Sequence, residues 1–228
     1  MNRFICSVAL LALAGCATSE THTPTSTGST SNDFQPDARP IAQTYVYECT
    51  GMDFMTRVGP GEMAIWLEDR YLVLSQVRAA SGSKYVEGDV MFWSKGHDVL
   101  LEVDGIRYSD CSLNPQRAPW EDARRRGVDF RAVGNEPGWV VEVRDGQNIL
   151  FKGDYGATVL LFPDPAKSAT GNGSEYTAQS GKHSLRLTIE DAFCADTMAD
   201  IEYPTTVQLV VDGRSYAGCG RELDYPWE

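Results

Sequence analysis

The chain has 228 residues, a formal net charge of −12, 42% hydrophobic residues and six cysteines. Such acidity excludes electrostatic binding to nucleic acid or to anionic lipid and favours a cationic partner, although it also serves simply to keep a protein soluble. Plentiful glycine and frequent turn residues across about 190 residues of folding material point to an all-β chain, forming one large or two small domains.

At the start, Met1-Asn2-Arg3 places one positive charge before the apolar run Phe4–Leu13, and the small residues Ala14-Gly15 precede Cys16. These are the parts of an export signal. The apolar run is about ten residues, where a spanning helix needs roughly twenty. The sequence Leu13-Ala14-Gly15-Cys16 resembles the lipobox of bacterial lipoproteins. That resemblance implies a signal peptide over residues 1–15 and lipid (palmitate among it) on Cys16 as the new first residue. Residues 17–40 are almost entirely Ser, Thr, Pro, Gly, Asn and Asp, with Phe34 the only large apolar residue. Such a composition cannot bury enough surface to offset ordering entropy, so residues 16–43 are expected to be a lipidated start and a flexible stalk with a reach of roughly 25–30 Å. Ala17 and Thr18 follow the cysteine with no aspartate, which by the same resemblance implies a body held on the outer membrane and facing the periplasm.

Beyond the stalk, residues 44–113 read as a first module. Strands are predicted at Thr44–Cys49, Met63–Leu67, Tyr71–Val77, Val90–Trp93, Val99–Val103 and Ile106–Ser109, separated by Gly, Asp and Pro turns. Residues 114–127 form a polar linker in which Trp120–Arg126 suits a short helix, with acids first and bases last along the dipole. Residues 128–224 read as a second module with strands at Phe130–Val133, Trp139–Val143, Ile149–Phe151, Thr158–Phe162, Ser174–Thr177, Ser184–Ile189, Thr206–Val211 and Arg214–Ala217. The Pro, Gly, Ser and Asn of residues 163–173 predict a mobile loop. The fold expected is thus all-β, two small antiparallel barrels or sheets in tandem.

Cys6 lies in the signal and Cys16 takes the lipid, leaving Cys49, Cys111, Cys194 and Cys219. An even number in an oxidising compartment predicts disulfides, and the spacing favours Cys49–Cys111 and Cys194–Cys219 among the three possible pairings. Each should stabilise its module by roughly 3–4 kcal/mol. No CxxC pair is present and the only histidines are His22, His97 and His183, so neither metal nor cofactor is expected. Phosphate-binding loops, dinucleotide fingerprints and nucleophile elbows are equally lacking.

One stretch carries more than composition. Tyr47-Glu48-Cys49, Ser81-Gly82-Ser83-Lys84-Tyr85, Phe92-Trp93-Ser94-Lys95-Gly96 and the closing Cys111 follow in order over about seventy residues. The first module therefore resembles the membrane-bound or periplasmic inhibitors of c-type lysozyme. The resemblance implies a non-enzymatic protein whose partner is c-type lysozyme. It also implies that Ser81 and Lys95, fourteen positions apart, enter the lysozyme cleft, with Gly82 and Tyr85 shaping the contact. Lysozyme uses a protonated carboxyl and a carboxylate flanking the scissile bond. An inserted ammonium pairs with such groups and a hydroxyl donates to one of them. By default, Ser81 is only a turn residue and Lys95 a solvated loop lysine, while Tyr85 and Trp93 brace the loop or fill the core.

The second module resembles an uncharacterised group of bacterial envelope domains through Gly134-Asn135-Glu136-Pro137-Gly138-Trp139, Cys194-Ala195-Asp196-Thr197-Met198, Tyr203-Pro204 and Gly218-Cys219-Gly220. Ala199-Asp200 stand where that group often has Ser-Gly. Glu136 and Asp196 are its candidate site, as paired carboxylates of a wall-active hydrolase or as part of a partner-binding surface. Their default roles are a turn cap and a local acceptor beside a disulfide.

Overall fold

The computed structural model describes residues 42–225 apart from residue 69; the signal, Cys16 and nearly all of the stalk lie outside the described residues. A first curled antiparallel sheet is built from β1 (Gln43–Cys49), β2 (Met52–Gly59), β3 (Glu62–Trp66), β4 (Tyr71–Val77), β5 (Ser83–Glu87), β6 (Val90–Lys95), β7 (Asp98–Val103), β8 (Ile106–Tyr108) and β9 (Ser112–Leu113). Each of β1 to β7 pairs with the next along the chain, and β9 returns to pair with β1. Alternation sends one face inward, as in β7, where Val99, Leu101 and Val103 are buried between less buried neighbours. Tyr47, Phe54 and Phe92 meet at ring separations of 5.0–6.2 Å in this core. Cys49 bonds Cys111, as expected, clamping the end of β1 to the residue before β9.

The linker forms α1 (Ala118–Arg125), with Pro119 in its first turn. A second curled sheet follows, from β10 (Phe130–Asn135), β11 (Gly138–Arg144), β12 (Asn148–Gly153), β13 (Thr158–Pro163), β14 (Ala166–Thr170), β15 (Gly173–Ser180) and β16 (His183–Glu190). The chain then makes a separate small hairpin of β17 (Cys194–Asp196) and β18 (Ile201–Tyr203), and returns through β19 (Thr205–Val211) and β20 (Arg214–Glu222). The order across the sheet is β13-β12-β11-β10-β20-β19-β16-β15-β14. Its core includes Phe130, Val141, Ile149, Phe151, Phe162, Leu187 and Leu209. Cys194 bonds Cys219, tying the small hairpin to β20 as expected.

One expectation fails. Residues 163–173 are not a loop throughout: β14 pairs with β15 from Ala166↔Thr177 to Thr170↔Gly173. All five residues of β14 are exposed. An edge strand with nothing to bury needs no apolar alternation, so its small polar residues read as loop.

Helix α1 buries Trp120 and Ala123 in an apolar cluster with Val128, Tyr203, Cys219 and Leu223, and ion pairs link it to both sheets. Asp122 accepts hydrogen bonds from Thr44 (2.7 Å), Arg57 (2.5 Å) and Arg126 (2.8 Å). Arg126 forks onto Glu142 of β11 at 2.8 and 2.9 Å, and Arg131 of β10 pairs with the same carboxylate. Ahead of the helix, Arg117 holds Glu48 at 2.8 Å and Asp53 at 2.6 Å. Burial alone would push the Glu142 carboxyl up, but the hydrogen bond from Arg126 and the charges of Arg126, Arg131 and Lys152 hold it below its ordinary value.

Candidate functional site

The connection between β4 and β5 carries Ser81 and Gly82, and the end of β6 carries Lys95. These segments are neighbours because β5 and β6 form a hairpin in which Ser83 pairs with Ser94. Gly82 makes the approach closer still. Its φ is +70°, and a Cβ built there would lie 2.1 Å from the Ser94 carbonyl oxygen and 3.1 Å from Lys95 Cβ. Only glycine accommodates both the left-handed backbone and that contact. From β6, the Trp93 indole N–H donates to the Ser81 carbonyl at 2.9 Å, so the loop is braced from the strand that ends in Lys95.

Ser81 and Lys95 are both exposed. Neither the Ser81 hydroxyl nor the Lys95 ammonium has a hydrogen-bond or ion-pair partner among the described residues. Lys95 stands at the tip of the β6–β7 hairpin beside Gly96, whose φ of +63° turns the chain. Tyr85 differs from these: it is 5% exposed and its ring lies 6.3 Å from Phe92. It supports the loop from the core and presents little surface of its own. Under the loop, a cavity of about 640 Å³ is walled by Tyr45, Tyr47, Tyr85 and Phe92 and edged by Ser83 and Ser94. Burial, with help from Tyr45 nearby, pushes the Tyr47 phenol up to about 12, so it stays neutral at physiological pH.

In the second sheet, Glu136 and Pro137 form the two-residue turn between β10 and β11, joined by a cis peptide bond. Glu136 is exposed, with no hydrogen bond or ion pair among the described residues. Asp196 is 9% exposed, and its Oδ1 accepts from Asn135 Nδ2 at 2.7 Å and from the Met198 and Ala199 amides at 3.0 and 3.2 Å. That oxygen organises the turn after β17 and ties it to β10. Asn135 therefore links the two sequence motifs, a role legible in neither motif alone. Among the described residues no group of three or more His, Cys, Asp or Glu stands close enough to hold a metal ion.

The family described as membrane-bound lysozyme-inhibitor of c-type lysozyme matches residues 47–110, which run from β1 to just before β9. A relative from Yersinia enterocolitica, named membrane-bound lysozyme inhibitor of C-type lysozyme, is 36% identical over 78 residues, covering 33% of this chain and 67% of its own. The chain belongs to this family. A relative of the same name from Escherichia coli K12 is 38% identical over 58 residues, covering 25% of this chain and 53% of its own, so the chain spans only about half of that protein. The family match takes in Ser81, Gly82, Tyr85 and Lys95, and it ends before α1 and the second sheet. No solved structure matches the chain significantly.

Proposed function

We propose that this protein inhibits c-type lysozyme by binding, without catalysis of its own, and that Ser81 and Lys95 are inserted into the lysozyme cleft. The observation that carries the reading is the pair's geometry: two exposed, unpartnered polar groups held side by side by the Gly82 contact and the Trp93 hydrogen bond. A Lys95 ammonium beside the two catalytic carboxyls of a lysozyme pairs with the ionised one and favours ionisation of the other, removing the proton that catalysis needs. The Ser81 hydroxyl donates to a carboxylate at the same time. Steric blockage of the cleft is itself sufficient, and the charge effect adds to it. Lipid on Cys16 and the stalk would hold this surface at the cell envelope, facing the periplasm from the outer membrane.

The test is the clearing of a bacterial wall suspension by a c-type lysozyme in the presence of the protein. Ser81→Ala and Lys95→Ala should each weaken inhibition about tenfold or more, since a hydrogen bond to a charged group is worth roughly 1.5–3 kcal/mol. The double variant should keep the wild-type melting temperature, because both side chains are exposed and unpartnered. Undiminished inhibition by the double variant refutes the Ser81/Lys95 mechanism. A wild-type protein that leaves lysozyme unaffected refutes the function itself.

A further inference from the structure

Where α1 meets the second sheet lies a cavity of about 1020 Å³, away from Ser81 and Lys95. Arg221, on β20, is part of its wall. The guanidinium carbon lies 5.7 Å from the ring centre of Trp120, 5.4 Å from Tyr203 and 6.0 Å from Tyr225. Aromatic faces hold an arginine in this way without neutralising it. Arg221 has no hydrogen-bond or ion-pair partner among the described residues, and its Nε is shielded from solvent as well as unbonded. A shielded, unanswered donor on a charged group is costly and asks for a partner.

The surroundings sharpen the demand. Arg131 is the residue directly opposite Arg221 on β10, and its guanidinium lies 5.3 Å from the same Trp120 ring. The carboxylate that answers Arg131 is Glu142, already forked by Arg126. Of the other charges on the cavity wall, Arg117 is occupied by Glu48 and Asp53, and Glu121 by Arg124 and the Tyr225 hydroxyl. Like charges facing each other across two strands are unfavourable, and here they occur in a chain whose net charge is −12. An incoming anion relieves them.

We propose that this cavity is a binding site for a small monocarboxylate with an apolar body, its carboxylate taking the two terminal nitrogens of the Arg221 guanidinium, which are unbonded among the described residues and, unlike Nε, not shielded. A planar carboxylate matches the fork of donors that an arginine presents. Ile201 and Pro204 offer apolar contact to the remainder of the ligand. Asp191, Glu222 and Asp224 also border the cavity, and their charge discriminates against a dianion such as phosphate. The volume lies at the upper end of the usual range for small-molecule sites, roughly 300–1,000 Å³.

The site is independent of the lysozyme-binding reading, and so is its test. Phenylacetate, phenylacetamide and inorganic phosphate are each titrated into the isotopically labelled protein and followed by NMR. Phenylacetate should give saturable shifts of the Trp120 indole and Arg221 Nε–H resonances, with phenylacetamide and phosphate binding at least tenfold more weakly. Arg221→Lys keeps the charge but loses the fork, and should weaken phenylacetate at least tenfold while lysozyme inhibition is unchanged. Equal binding of acid and amide overturns the proposal. So does the absence of saturable phenylacetate binding, tighter binding of phosphate than of phenylacetate, or undiminished binding to Arg221→Lys. Should that variant fold poorly, the acid–amide contrast on the wild-type protein decides alone.

Discussion

Gly82→Ala tests how the pair we propose for lysozyme binding, Ser81 and Lys95, is held, and Gly88→Ala supplies its control. Both glycines have positive φ, +70° and +53°, so an alanine at either position carries the left-handed penalty of roughly 1–2 kcal/mol. Their surroundings differ. A Cβ on Gly88 meets nothing within 4 Å, whereas one on Gly82 lies 2.1 Å from a backbone oxygen. To reach even 3.0 Å, the Ser94 carbonyl and the loop must separate by about 1 Å, and backbone in the middle of a paired hairpin yields poorly. Overpacking of this kind costs a further 1–3 kcal/mol or so, giving about 2–5 kcal/mol for Gly82→Ala against about 1–2 for Gly88→Ala. Urea unfolding of both variants measures the difference. Lysozyme inhibition should fall at least about tenfold in Gly82→Ala only, because a shift of that size displaces Ser81 relative to Lys95. Equal stability and equal inhibition in the two variants would refute the argument that Gly82 sets the spacing.

Acid should loosen the links made by α1. Burial would raise the Asp122 carboxyl, yet hydrogen bonds from Arg126 and Thr44 and the charges of Arg126 and Arg57 hold it below its ordinary value, as they do for Glu142 in its own setting. Groups with depressed folded values contribute stability that is present above the unfolded value near 4 and lost as pH falls through the folded ones. Melting temperatures should therefore decline below about pH 4, and Glu142→Gln should flatten that decline while lowering stability at pH 7; an identical pH slope in the variant counts against it. Cys49→Ser with Cys111→Ser opens a loop of 62 residues and Cys194→Ser with Cys219→Ser one of 25, so chain entropy predicts losses of about 4 and about 3.5 kcal/mol respectively. Denaturant midpoints of the two double variants give the ordering, which a greater loss from the shorter loop would reverse.

The sequence was legible wherever a strand buries one face. Tyr71–Val77 is found with the expected ends, and Val99–Val103 gains one residue. Strands escaped notice where polar residues interrupt the pattern. In β2, Asp53, Thr56 and Arg57 break the apolar run, yet Thr56 is fully buried, while Asp53 and Arg57 face partners beyond the strand. In β5 the only apolar residues are Tyr85 and Val86, and its pairing with β6 is supplied by the hairpin. Ser81, Gly82 and Lys95 were visible as motif residues, but their adjacency depends on that hairpin register. The Arg221 cavity left no trace in the sequence. Arg221, Trp120, Tyr203 and Tyr225 are brought together by the pairing of β20 with β10 and the packing of α1, which no local pattern encodes.

Charge in this molecule is divided between two tasks. The three arginines of the run Arg124-Arg125-Arg126 are each engaged: Arg124 faces Glu121, Arg126 faces Asp122 and Glu142, and Arg125 lies 5.4 Å from the ring centre of Trp66. An eight-residue helix is too short to stand on its own hydrogen bonds, and these pairs fix it against both sheets. Glu142 is 4% exposed, so taking away one of its arginines would leave a buried carboxylate underpaired, at a cost of about 3–5 kcal/mol. Those arginines are already counted in the net charge of −12, and answering them from within leaves that total unchanged. Lys95 stands unpaired at its hairpin tip, and at physiological ionic strength its own field is screened beyond about 8 Å. Screening applies equally to the acidic groups, but a single ammonium is one charge in a chain of net −12, so the sum attracts a cationic protein and Lys95 is felt only close by. On the function we propose, a single lysine at that hairpin tip leaves the approach of a cationic partner unhindered.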